Sequence, residues 1–157
     1  MKVLSLTQPW ASLVILGSKK VETRSWRPRA EMQGQRILIH AAKGFPRWAK
    51  ETCMEPIFQT GLGWKTDADV SKTLDFGVIL GSVLLVECLP TESVRCLPGV
   101  FDDYPELDTE QERAFGDYSP GRFGWVLAEP IAFDAPIPAK GKLGLWDFDF
   151  GDVRGEA

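Results

Sequence analysis

Apolar residues fall in short runs broken by glycine, proline and charged residues: Val3-Leu4-Ser5-Leu6, Trp10 to Leu16, Ile37-Leu38-Ile39, Val78 to Val86 and Phe123 to Leu127. Lys2 to Leu6 predicts an opening strand. Pro9 to Leu16 predicts a short helix with Pro9 in its first turn. Gly17 is its stop, because glycine alone takes left-handed backbone angles without a steric cost. Val21 to Trp26 reads as a strand. Its alternation puts Glu22, Arg24 and Trp26 on one face, and Val21, Thr23 and Ser25 on the other. Lys19 lies in the intervening turn, where alternation does not fix its direction.

Further along, Arg27 to Gly34 reads as a loop and Arg36 to Ala42 as a buried strand. Pro46 to Phe58 predicts one helix with Trp48 and Met54 among its packing residues. Residues 61–77 show little apolar periodicity and predict a mobile insertion pinned at its end by Leu74-Asp75-Phe76. Gly77 to Cys88 is apolar on both faces, with Gly81 marking a bulge or barrel corner and Pro90 ending the strand. Thr109-Glu110-Gln111-Glu112 fits a capping box. Phe123 to Leu127 reads as a strand ended by Pro130, and Gly144-Leu145-Trp146 as the segment that closes the barrel. The pattern predicts one domain over residues 1–150 and a polar tail at 151–157.

Composition adds limits. Eleven prolines and fifteen glycines among 157 residues favour short elements and turns over a helical bundle. The longest uncharged apolar run, Val78 to Val86, falls well short of the roughly 20 residues that cross a bilayer. Met1-Lys2 leads into the first strand without a cleavable-signal pattern, so the expected location is the cytoplasm and no membrane is involved. Cys53, Cys88 and Cys96 are odd in number and lack close spacing, and His40 is the only histidine. No disulfide framework, metal site or cofactor is expected from them.

The net charge of −4 hides an asymmetry. Residues 1–50 hold ten lysines and arginines against two acids, a net of +8; the rest hold eight against twenty, a net of −12. Such a split can present a positive face on an acidic protein, or the two halves can interleave and cancel. Lys19, Lys20, Arg24, Arg27 and Arg29 lie within eleven positions. The acidic residues from Asp102 to Asp117 lack the spacing of a calcium loop and read as a solvated face, with a protein partner as the alternative.

The order of an apolar helix, Gly17-x-Lys19-x-x-Glu22-x-Arg24 and a strand resembles the ASCH family, of the PUA-like group of small β-barrels. Gln8-Pro9-Trp10-Ala11, Ser25-Trp26, Gly121-Arg122-Phe123-Gly124-Trp125 and Gly144-Leu145-Trp146 support the resemblance, which spans nearly the whole chain. It implies a mostly β (α+β) PUA-like barrel with a few short helices, and a cleft below the helix that binds RNA or a nucleotide-like ligand. Lys19, Lys20, Glu22, Arg24, Trp26, Arg27, Arg29 and His40 are the candidate ligand-contacting residues. The plainer readings are an ion pair for Glu22 and Arg24, and a hydrogen-bonded structural role for His40. The end of the helix at Gly17 is expected to form part of the cleft wall.

Some members of the family resembled are enzymes, which keeps a ribonuclease or an N4-acetylcytidine-type amidohydrolase open, with Lys19 and Glu22 as the catalytic pair. In that amidohydrolase branch a threonine nucleophile sits three residues after the lysine. Glu22 stands there in this chain, and Thr23 is one position on. That departure predicts little or no hydrolysis of N4-acetylcytidine. For RNA, three to four phosphate contacts would give a slope of log affinity against log salt of roughly −2 to −3.

Overall fold

Val3, Leu4 and Leu6 of β1 (Lys2–Leu6) are all buried, because the sheet that β1 joins carries a core on each face. Leu4 and Leu6 pack with Ile37, Ile39, Val83, Leu85 and Trp125, whereas Val3 packs with Leu38, Ile79 and Trp146. The computed structural model of the chain describes residues 1–64, 74–95, 107 and 109–151. Its strands are β1, β2 (Val21–Arg24), β3 (Gln35–Ala41), β4 (Val78–Pro90), β5 (Phe123–Pro138) and β6 (Leu145–Asp147). They form one sheet in the order β2-β5-β4-β3-β1-β6, antiparallel except for the β1–β3 pair. The sheet curls into a half-barrel, the mixed α+β architecture expected. β6 adds to β1 at one end; among the described residues no pairing joins it to β2.

The helix α1 (Trp10–Ile15) lies against the curl. Its Ala11 and Val14 enter the main core, and its Leu13 enters a second cluster with Phe58 and Phe115. Gly17 stops it at φ +80°, as expected. A 3-10 turn covers Ala30–Met32. The helices α2 (Arg47–Cys53), α3 (Pro56–Leu62), α4 (Thr91–Arg95) and α5 (Glu110–Phe115) follow. Among the described residues no helix is long and apolar enough to cross a membrane.

Three expectations change. The single helix over 46–58 is two, because Glu55 is extended and Pro56 starts a new helix where its missing N–H costs nothing. Trp48 and Met54, expected to pack, are exposed. β5 does not end at Pro130. Leu84 pairs with Ala128 and Ser82 with Ile131, so β5 holds one extra residue there, with Glu129 at φ +48°. Pro130 sits in that bulge, where a missing ladder donor is tolerated.

The corner at Gly81 is present, and its reason is steric. A Cβ there would lie 2.1 Å from the carbonyl oxygen of Ile131. Leu74 packs on the second cluster, Phe76 stacks 5.0 Å from Phe45, and the carbonyl of Asp75 accepts from Gln8, so the segment end is pinned. Residues 65–73 of the expected insertion, Cys96, and residues 152–157 of the expected tail lie outside the described residues. Burial pushes the Cys53 thiol up to about 11, and burial likewise raises that of Cys88.

Candidate functional site

β2 pairs antiparallel with β5, Glu22 opposite Trp125 and Arg24 opposite Phe123. Alternation then puts the Glu22 and Arg24 side chains on one face, with Glu22 Oε1 2.9 Å from Arg24 Nε. That N–H is not directed at the carboxylate and has no other acceptor, so the contact is an ion pair without a formed hydrogen bond. Arg24 Nη2 donates to the carbonyl of Ser5 at 3.1 Å. Since β2 ends the sheet order and Ser5 belongs to β1, Arg24 bridges the seam left by the open curl.

Lys19 turns inward after Gly17 and is 1% exposed. Its ammonium donates to the carbonyls of Val21 and Phe115 and lies 3.4 Å from Glu22 Oε2. Two of its three protons are therefore taken by carbonyls, and the Glu22 contact is an ion pair without a formed hydrogen bond. Behind it stands Glu112 of α5, 3% exposed, whose carboxylate accepts from the backbone N–H groups of Lys20 and Val21. Burial pushes the Glu112 carboxyl up, against the pull of the Lys19 ammonium and those two N–H groups. The Tyr118 phenol is raised too, first by burial and then by the Glu112 and Glu22 carboxylates.

Glu22 and Arg24 open onto a cleft of about 490 Å³. Trp10 and Trp48 form one wall, and Phe115 to Asp117 with Arg122 form the other. Trp10 is fixed by its indole N–H, which donates to the carbonyl of Phe115 at 2.8 Å. Trp48 leans on it at 5.7 Å but is 57% exposed. Arg122 donates to the carbonyls of Asp117 and Thr23 at 3.1 and 3.4 Å. Thr23 Oγ1 accepts from the N–H of Asp117 at 2.8 Å. Gly116 has ordinary extended angles; it is small because a Cβ would lie 2.8 Å from the Tyr118 ring and 3.1 Å from Thr23 Cγ2.

The candidates separate. Glu22 and Arg24 line the cleft, and Lys19 touches Glu22 from behind without lining it. Lys20 and Gly17 border a different cavity, so the end of α1 is not part of this wall; its start, Trp10, is. Trp26 lies past the end of β2, escapes the alternation and packs edge-on against Trp125 at 4.8 Å. Arg27 covers the Phe123 ring at 4.6 Å, and Arg29 is exposed 3.9 Å from Glu31.

Sequence reasoning missed Trp48, Arg122 and Glu112. Arg122 stood in the Gly-Arg-Phe-Gly-Trp segment, and Glu112 in the capping box. That box is half formed: Thr109 Oγ1 accepts from Glu112 N at 3.1 Å, but the Glu112 carboxylate serves β2 instead. Asp102, Asp103, Glu106 and Asp108 lie outside the described residues.

His40 is buried on another side of β1. A carbonyl can only accept, so Nε2 carries the proton that bonds Ala139 O at 3.0 Å, and Nδ1 accepts from the Ser5 hydroxyl at 3.1 Å. Burial lowers its pKa from 6.5, against that bond to Ala139. The unfolded chain takes up this proton near the ordinary value and the folded chain only at lower pH. Below 6.5 the unfolded state therefore binds more protons, and the contribution of His40 to stability falls as pH drops through that window. Its ring resonances in proton NMR, unique in the chain, are expected to titrate with a midpoint below 6.5. A midpoint at or above that value contradicts the buried neutral ring.

The family model of the ASCH domain matches residues 4–137. Activating signal cointegrator 1 of Homo sapiens is 27% identical over 146 residues, 93% of this chain. That of Mus musculus is 26% identical over the same span. The chain spans 22% of the length of these relatives. Among solved structures, ASCH from Zymomonas mobilis is similar with a TM-score of 0.52 and 16% identity, covering 98% of this chain and 90% of that one. A mutant of the Zymomonas mobilis protein gives 0.53 and 15%, covering 98% and 93%. At that identity the likeness is one of fold.

Proposed function

The chain belongs to the ASCH domain family, and from that premise we propose that the cleft at the seam binds single-stranded RNA, one nucleotide seated between Trp48 and the Glu22–Arg24 pair. The cleft volume falls in the range typical of small-ligand pockets, about 300–1,000 Å³. The carrying observation is that the partly exposed Arg24 guanidinium and the half-open Trp48 indole line the same 490 Å³ space. Trp48 offers its ring to a base. The Glu22 carboxylate accepts from a base N–H, such as N3–H of uracil or an amino group, and the Arg24 and Arg122 guanidiniums donate to phosphate or to a base edge. Lys19 and Glu112 are positioning residues: they hold Glu22 and the start of β2 and do not meet the ligand.

The geometry favours binding over hydrolysis. The Lys19 ammonium is buried outside the cleft lining, bonded to two carbonyls and paired with Glu22, and the Thr23 hydroxyl oxygen accepts from the Asp117 N–H. N4-acetylcytidine is expected to stay intact, as its absorbance would report.

The test of binding is a fluorescence titration of a four-nucleotide oligouridylate across salt concentrations. With two guanidiniums in the cleft, the slope of log affinity against log salt is expected near −1.5, at about 0.7 per phosphate contact. Arg24→Ala should weaken binding about tenfold or more, while Arg29→Ala should leave it within about twofold, since Arg29 is outside the cleft. Absence of binding at low salt, or equal effects of the two variants, overturns the reading.

A further inference from the structure

A second concavity, of about 1140 Å³, opens beside the cleft, and the two share Ser5. On the cleft side the Ser5 carbonyl holds Arg24; on the other side its hydroxyl joins His40 and the Trp146 indole. The floor of this groove is apolar, with Phe76, Val78 and Pro138. Its rim carries Lys43, Lys140 and Lys142, all exposed, and no carboxylate is among its lining residues. Among the described residues none of the three lysines lies within ion-pair distance of an acid. Of the other described basic groups, Lys2, Arg29, Arg36, Arg47 and Arg122 each stand beside a carboxylate, whereas Lys20, Arg27 and Lys50 share the unpaired state of the rim lysines. Leu143, 99% exposed, stands at the same rim.

Lys142 lies over the Trp146 ring at 5.7 Å. The Asp147 carboxyl is lowered first by its hydrogen bond from Lys2 and, in smaller part, by the field to which Lys142 contributes. No carboxylate lines the groove itself, however, and three ammonium groups over an apolar floor complement a polyanion whose bases have apolar faces. A compact inorganic anion would use the lysines and leave the apolar floor idle. Lys43 belongs to the basic first third of the chain, but Lys140 and Lys142 come from the acidic remainder, so the local charge here is not that of the segment.

We propose that a single RNA strand seated in the cleft continues past Ser5 into this groove, its backbone phosphates meeting Lys43, Lys140 and Lys142. The inference rests on the cleft reading and extends it from one nucleotide to a path. The triple variant Lys43→Gln, Lys140→Gln, Lys142→Gln tests it, with oligouridylates of four and twelve nucleotides. The short strand should bind wild type and variant alike. The long strand should lose about 2 from its salt slope in the variant, at about 0.7 per phosphate. Raising salt from 50 to 200 mM would then weaken the wild-type complex about 16-fold more than the variant's. If the triple variant leaves the long strand unaffected while Arg24→Ala weakens it, the path is overturned and the cleft reading stands. If the short strand fails to bind wild type at low salt, the cleft reading falls and the continuous path falls with it.

Discussion

Lys19→Met is expected to lower the stability of the folded chain by about 3 kcal/mol, which for a domain of this size is about 6–12 °C in melting temperature. Lys19 sits wholly buried between two carbonyls and Glu22, with Glu112 nearby. Methionine fills similar space and removes the charge. The carbonyls of Val21 and Phe115 then lose their donor, and Glu112 loses the counter-charge that offsets its burial. Glu22 keeps Arg24, which holds the loss at the lower end of what breaking a buried pair costs. Lys20→Met, one residue on and exposed, should change stability by no more than about 0.5 kcal/mol. Equal melting temperatures for the two variants would show that Lys19 is not the buried tie between β2 and α5.

Trp48→Ala is expected to weaken binding of the four-nucleotide strand by 1–3 kcal/mol, about 5- to 150-fold, the cost of losing one stacked base. Trp48 is 57% exposed and its ring leans on Trp10 at 5.7 Å with the planes tilted by 45°, so the folded state should survive the change. Trp48→Phe keeps a ring face and should recover most of the affinity. Trp26→Phe is the contrast. Trp26 packs against Trp125 in the core, and shortening it should cost stability without touching a short strand's affinity at temperatures where the chain is folded. Full affinity in Trp48→Ala would take the stacking platform away from the account.

The parts of this site that were legible in the sequence are those that depend on local period. Glu22 and Arg24 share a face because strands alternate, and Gly17 stops α1 because its φ of +80° suits glycine. The curled sheet followed from the family resemblance and from short apolar runs. The illegible parts depend on residues far apart in the chain. Glu112 looked like a local cap, yet the backbone groups it serves lie 92 and 91 positions away. Trp48 looked like packing because a single helix over 46–58 was expected to bury one face. Two shorter helices broken at Pro56 leave its ring at the cleft. Trp26 was assigned to the Glu22 face by extending alternation two residues past the end of β2. Arg24 bonding to Ser5 across the seam follows from how far the sheet curls, which no pattern along the chain encodes.

The position of a bound nucleotide tests the central claim most directly. A four-nucleotide strand carrying 4-thiouridine, photo-crosslinked to the wild-type chain at saturation and mapped by mass spectrometry, should mark Trp10, Trp48 or residues 114–117, the walls of the cleft. Adducts confined to residues outside those walls, or none under saturating conditions, would contradict it.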